Sequence, residues 1–91
     1  MKYMDSKKEI QIGDFVFIED NARGMVVCDF DRKRFFLGYE NWDQKEEVLA
    51  EGVPVKGVMI KSEKYGLVYY EVEDDTIKFD EVGNNQGYRL G

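Results

Sequence analysis

From residue 10 to residue 30 the chain alternates apolar and polar positions in short bursts separated by polar turns. Ile10-Gln11-Ile12-Gly13-Asp14-Phe15-Val16-Phe17-Ile18 is rich in β-branched and aromatic residues and is interrupted at Gly13-Asp14, as a strand entered through a turn would be. Glu19-Asp20-Asn21-Ala22-Arg23-Gly24 is a polar turn. Met25-Val26-Val27-Cys28-Asp29-Phe30 is a second strand, apolar on both faces at its start, and the two runs form a hairpin. Asp31-Arg32-Lys33-Arg34 is a charged turn, followed by a short extended run, Phe35-Phe36-Leu37-Gly38-Tyr39.

The period then changes. Asn41 is placed to cap a helix, with Gln44 as its capping-box partner and Trp42, Lys45, Val48 and Leu49 at helical spacing. Asp43 suits the positive end of the helix dipole and Gly52 ends it; Pro54 forbids any continuation. Val58-Met59-Ile60-Lys61 and Leu67-Val68-Tyr69-Tyr70-Glu71-Val72 are two more strands around the turn Glu63-Lys64-Tyr65-Gly66. Glu73-Asp74-Asp75 is a further turn before a last strand, Thr76-Ile77-Lys78-Phe79. Residues 1–9 and 83–91 read as loosely ordered ends. Short strands, tight turns and one brief helix predict a mainly β fold. The candidates are a small SH3-like open barrel or a curled antiparallel sheet carrying the helix.

Ninety-one residues bound the chain to a single domain, 1–91. Its net charge of -6 opposes phosphate backbones and anionic membranes alike, so neither nucleic acid nor membrane is the expected partner. Cys28 is the sole cysteine, lies in an apolar run and reads as a small buried hydrophobe. No stretch has the character of a leader or a membrane span, which places the expected site of action in the cytoplasm.

Histidine is absent, and with it the commonest neutral-pH base, the Ser-His-Asp and Cys-His arrangements and the usual metal ligand. One cysteine makes no thiolate zinc site, and neither Asp29-Phe30-Asp31 nor Glu73-Asp74-Asp75 follows the calcium-loop pattern. The glycines are scattered one per turn rather than gathered into a phosphate loop. The expectation is a non-enzymatic protein with no catalytic residue, cofactor or metal. Phe15, Phe17, Phe30, Phe35, Phe36, Tyr69, Tyr70 and Phe79 suit core and hairpin packing better than a nucleic-acid stacking platform, which basic residues would surround.

Charge along the chain is uneven. Glu40, Asp43, Glu46, Glu47 and Glu51 face Lys45 alone, and Glu71, Glu73, Asp74, Asp75, Asp80 and Glu81 face Lys78 alone. Asp14, Glu19 and Asp20 make a third acidic patch. Two readings stand: solvated faces that keep the chain soluble, or a surface complementary to a basic protein.

The run Ile12-Gly13-Asp14-Phe15-Val16, then Gly24-Met25-Val26-Val27, Phe36 to Tyr39 ahead of Trp42, Gly57-Val58-Met59-Ile60 and Gly66-Leu67-Val68-Tyr69-Tyr70 resembles small bacterial immunity proteins of polymorphic and contact-dependent growth-inhibition toxin systems. The chain departs from shorter examples in the longer segment Lys45 to Lys56. The resemblance implies a stoichiometric inhibitor that covers or distorts a toxin domain, often a nuclease, without turnover. The contacts expected for such a role are Asp43, Glu46 and Glu47 from the helix and Glu71, Glu73, Asp74 and Asp75 from the later turn, with Trp42 as apolar anchor. The alternative is an SH3-like module that binds a peptide through Trp42, Tyr69 and Tyr70.

Overall fold

Three tight hairpins build the molecule. In the computed structural model, which describes residues 1–40 and 56–85, β1 (Phe15–Ile18) turns through a one-turn 3-10 segment (Glu19–Asn21) into β2 (Ala22–Asp29). A charged loop leads from β2 to the two-residue β3 (Arg34–Phe35), and β4 (Val58–Ser62) turns back as β5 (Gly66–Tyr70). β6 (Lys78–Phe79) and a single helical turn, α1 (Glu81–Asn85), follow. All pairings are antiparallel, in the order β5-β4-β2-β1-β6. β3 joins the same edge of β2 as β1, because β4 occupies the other edge at the same residues. The sheet curls without closing, in keeping with the mainly β fold expected from the sequence.

β2 is the centre because it is apolar on both faces, and residues 26 to 30 are all buried. Between Val26 and Cys28 its register against β4 slips by one residue, a β-bulge that turns Val27 and Cys28 to the same side. Val26 therefore joins Val16, Ile18, Ile60, Tyr70 and Ile77 in one apolar cluster, and Val27, Cys28, Phe30 and Met59 form a second. The chain from residue 71 to Ile77 is a strap joining the two edge strands, β5 and β6, and it ends by setting Ile77 into the first cluster. That strap carries Glu71, Glu73, Asp74 and Asp75.

Several expectations are corrected. Residues 1–9 do not fray. Lys2 bridges Glu9, Tyr3 is wholly buried with its hydroxyl donating to Asp14 Oδ2 at 2.8 Å, and Ile10 is buried beside it. The N-terminal ammonium pairs with Glu9 and Asp31 at 3.3 and 2.9 Å. The first strand begins at Phe15 rather than Ile10, since Gly13 at φ +88 and the Asp14 turn break it. The extended run expected over 35–39 keeps only Arg34–Phe35 as strand, and the last strand only Lys78–Phe79.

The described helix is α1, at the start of the segment expected to be a loose tail. Asp80 Oδ1 accepts the Gly83 amide at 2.9 Å, and Asn84 exchanges two hydrogen bonds with the Phe15 backbone, acting as a strand partner for β1. The helix expected after Asn41, and the tail beyond residue 85, lie outside the described residues. Among the described residues no helix is long and apolar enough to cross a membrane.

Candidate functional site

The β1–β2 loop reverses the chain in three residues, and two of them, Asp20 and Asn21, take left-handed backbone at φ 59 and 57. Aspartate and asparagine tolerate that conformation better than other L-residues do. The loop thus holds the Glu19 and Asp20 side chains out at one end of the sheet, both exposed. Asp20 Oδ2 accepts the Tyr65 hydroxyl at 2.9 Å, which ties this loop to the β4–β5 hairpin. That second hairpin is shaped by Ser62, whose Oγ accepts the Lys64 and Tyr65 amides, and by Gly66 at φ +76.

The strap is folded locally. Asp74 Oδ1 accepts both the Thr76 amide at 2.9 Å and the Thr76 hydroxyl at 2.7 Å, and these two bonds hold the Asp74 carboxyl below its ordinary value. Asp75 and Thr76 are thereby set against the β1–β2 loop. Ile18, Glu19, Asp20, Asn21, Asp75, Thr76 and Lys78 together line an open groove of about 370 Å³. Lys78 reaches away to Asp5 at 3.7 Å, and neither Glu19 nor Asp75 has a salt bridge with any described residue.

Tyr70 does not line this groove but neighbours two residues that do, Glu19 and Thr76. The residue is 8% exposed and its hydroxyl is buried beside Glu19 and Thr76 without meeting hydrogen-bond geometry with either. Burial, and after it the Glu19 carboxylate, push the Tyr70 hydroxyl above its usual pKa.

The acidic residues expected on one surface divide into sets. Asp75 joins Glu19 and Asp20, a pair noted in the sequence but not assigned to the site, while Asp74 is folded onto Thr76 and does not line the groove. Glu73 points elsewhere: its Oε2 accepts the Lys2 amide at 3.1 Å, and it lines a small groove with Lys2 and Lys7 that offsets its charge. Glu71 stands by Tyr69, where desolvation first and then this carboxylate raise the phenol's pKa. Asp14 is removed from the third patch by its bonds from Tyr3 and the Gln11 amide. Trp42, Asp43, Glu46 and Glu47 lie outside the described residues.

Tyr70, expected to bind a peptide together with Trp42 and Tyr69, is 8% exposed and set in the first apolar cluster, so its ring is not available for that role.

The other chemistry-bearing groups are engaged internally. Asp29 is buried and accepts the Arg32 amide, with the Arg32 guanidinium 3.7 Å away; Asp31 takes the N-terminal ammonium and the Gly57 amide. Among the described residues no three acidic or cysteine side chains are placed to hold a metal ion. Burial pushes the Cys28 thiol up to about 12, leaving it protonated at neutral pH. The rings of Phe35 and Tyr69 each pack edge to face on Phe30, as Tyr3 does on Phe79. A second concavity of about 230 Å³, lined by Phe15, Arg23, Met25, Lys61, Glu63 and Asp80 among others, mixes both charge signs.

β5 ends the described sheet and exposes Leu67 and Tyr69 beside Tyr65, an apolar row along one face of an edge strand. Compared with protein-family models, with curated proteins and with solved structures, the chain finds no match in any of the three.

Proposed function

We propose that this protein is a cytoplasmic immunity protein, a non-enzymatic inhibitor that binds a basic toxin domain, most naturally a nuclease, and covers it with an acidic surface. The observation that carries this reading is the meeting of two sequence-distant acidic segments. Glu19 and Asp20 of the β1–β2 loop and Asp75 of the strap line one open groove, with Glu19 and Asp75 left without salt bridges among the described residues. Carboxylates held together in this way repel one another in the free protein. A cationic partner relieves that repulsion and is steered in by the net charge of -6. Clustered carboxylates also match the pattern of negative charge that a nuclease accepts from phosphates.

The test is capture of the tagged protein's partner from the native host, followed by titration of the partner's activity. The reading expects a basic toxin domain inhibited at one-to-one stoichiometry. A captured partner whose activity is untouched at excess inhibitor contradicts it.

The exposed row Tyr65, Leu67 and Tyr69 favours a second reading, a module that accepts an extended peptide as an added strand on β5. The two differ in what breaks them. Leu67→Lys disrupts strand addition and leaves the acidic groove intact, whereas the combined changes Asp74→Lys and Asp75→Lys do the reverse.

A further inference from the structure

We infer that the outer face of the sheet, across β1, β2 and β4, seats a short run of single-stranded nucleic acid, with Phe15 and Phe17 as stacking surfaces and Arg23 and Lys61 as phosphate contacts. These residues are not among those that line the acidic groove, and the inference does not depend on the partner proposed there. Side chains alternate along β1, so Val16 and Ile18 enter the core while Phe15 and Phe17 stay on the outer face, Phe15 37% exposed. Phe15 stands opposite Met25, Met25 opposite Lys61, and Phe17 opposite Arg23. Two rings on one strand are thus flanked by cations on β2 and β4. The Arg23 guanidinium lies over the Phe17 ring, 5.7 Å from its centroid. Between Phe15, Arg23, Met25 and Lys61 the surface dips into the concavity of about 230 Å³.

The net charge of -6 opposes phosphate over the chain as a whole, but this face differs from the whole. Arg23 and Lys61 are exposed and form no salt bridge with any described residue. Of the two acids lining the concavity, Asp80 is buried and accepts the Gly83 amide, so Glu63 is the one that presents its carboxylate to solvent. Rings with cations beside them are the arrangement that the sequence did not reveal, because the strand pairing creates it. A base offers a flat face to a phenyl ring, and the phosphates that join the bases offer charge to the cations. An acidic peptide brings the charge without the flat faces. A duplex keeps its bases stacked on one another, so a single strand is what can use both rings.

The test is fluorescence anisotropy of a labelled oligothymidylate of about eight nucleotides, titrated with the whole chain at low salt. A duplex of the same length and an oligoglutamate of the same charge are titrated alongside. The single strand should bind saturably and the other two more weakly or not at all. Phe15→Leu should weaken binding about tenfold, as expected for one base that loses its stacking partner. Lys61→Gln should reduce the slope of log affinity against log salt by about 0.7, the change for one phosphate contact to a single strand. Amide NMR spectra establish that each variant is folded. Should Phe15→Leu not fold, Lys61→Gln and Arg23→Gln decide the matter.

No binding of the single strand up to about 0.1 mM chain would overturn the inference. So would a duplex or an oligoglutamate that binds as well as the single strand, since the rings would then contribute nothing. Binding that survives both Phe15→Leu and Lys61→Gln unchanged would place the nucleic acid elsewhere and overturn it equally. None of these outcomes bears on the acidic groove, whose own test is the capture of a basic partner.

Discussion

At the scale of single residues the structure separates positions that the sequence makes look alike. Gly38 and Gly57 both take positive φ, at +97 and +95. Among the described residues nothing lies where a Cβ at Gly38 would go, so Gly38→Ala carries only the backbone penalty, about 1 kcal/mol. At Gly57 a Cβ would overlap the Tyr70 carbonyl, and the backbone there also accepts from Phe30 and donates to Asp31. Gly57→Ala should cost about 3 kcal/mol or more, read as a lower denaturant midpoint. Equal losses at the two sites would contradict the packing described at Gly57.

Tyr70→Phe belongs to the same scale. It removes a buried hydroxyl that meets hydrogen-bond geometry with none of the described residues, so the free protein should be unchanged or stabilised by about 1 kcal/mol. A clear loss of stability would show that the hydroxyl is satisfied in solution.

Asp31 contributes to the acid limb of stability. Burial opposes its charge, but the N-terminal ammonium, the Gly57 amide and Arg32 outweigh that and hold its carboxyl below the usual 3.8. A carboxyl held lower in the fold than in the unfolded chain stabilises the fold once ionised, above the unfolded value. That contribution is lost as pH falls through the folded value. Asp31→Asn should therefore reduce stability at neutral pH and flatten its decline below about pH 4. An unchanged acid limb in the variant would place the sensitivity elsewhere.

At the scale of elements, α1 is tied to β1 through the Asn84 side chain. Asp80 caps its Gly83 amide and Asn84 bonds the Phe15 backbone twice. Asn84→Ala should free α1 from β1 at a cost of about 1–2 kcal/mol, with faster hydrogen exchange confined to residues around Phe15 and α1. Uniformly faster exchange would instead mean that α1 is part of the global fold.

How much of this was legible varies by element. The β4–β5 hairpin was readable, because Gly66 closes a run of turn residues between two apolar strands and takes the left-handed backbone that such turns require. The Val26/Cys28 bulge was not, since alternation has no meaning in an all-apolar run. Tyr3 was hidden because one isolated aromatic residue in a polar stretch has no period. α1 escaped because five residues containing Gly83 are below what propensity can signal. Glu73 and Asp74 are neighbours in sequence, yet the strap turns one toward Lys2 and folds the other onto Thr76. Only the fold decides which carboxylates remain available.

At the scale of the whole molecule, the central claim is that an acidic surface built from the β1–β2 loop and the strap receives a basic protein. The most direct measurement is parallel capture from the native host with the wild-type chain and with a Glu19→Lys, Asp75→Lys double variant, each at low and at high salt. The account predicts a basic partner retained by wild type at low salt, weakened at high salt and lost by the folded variant. A partner held equally by both chains and indifferent to salt would contradict it.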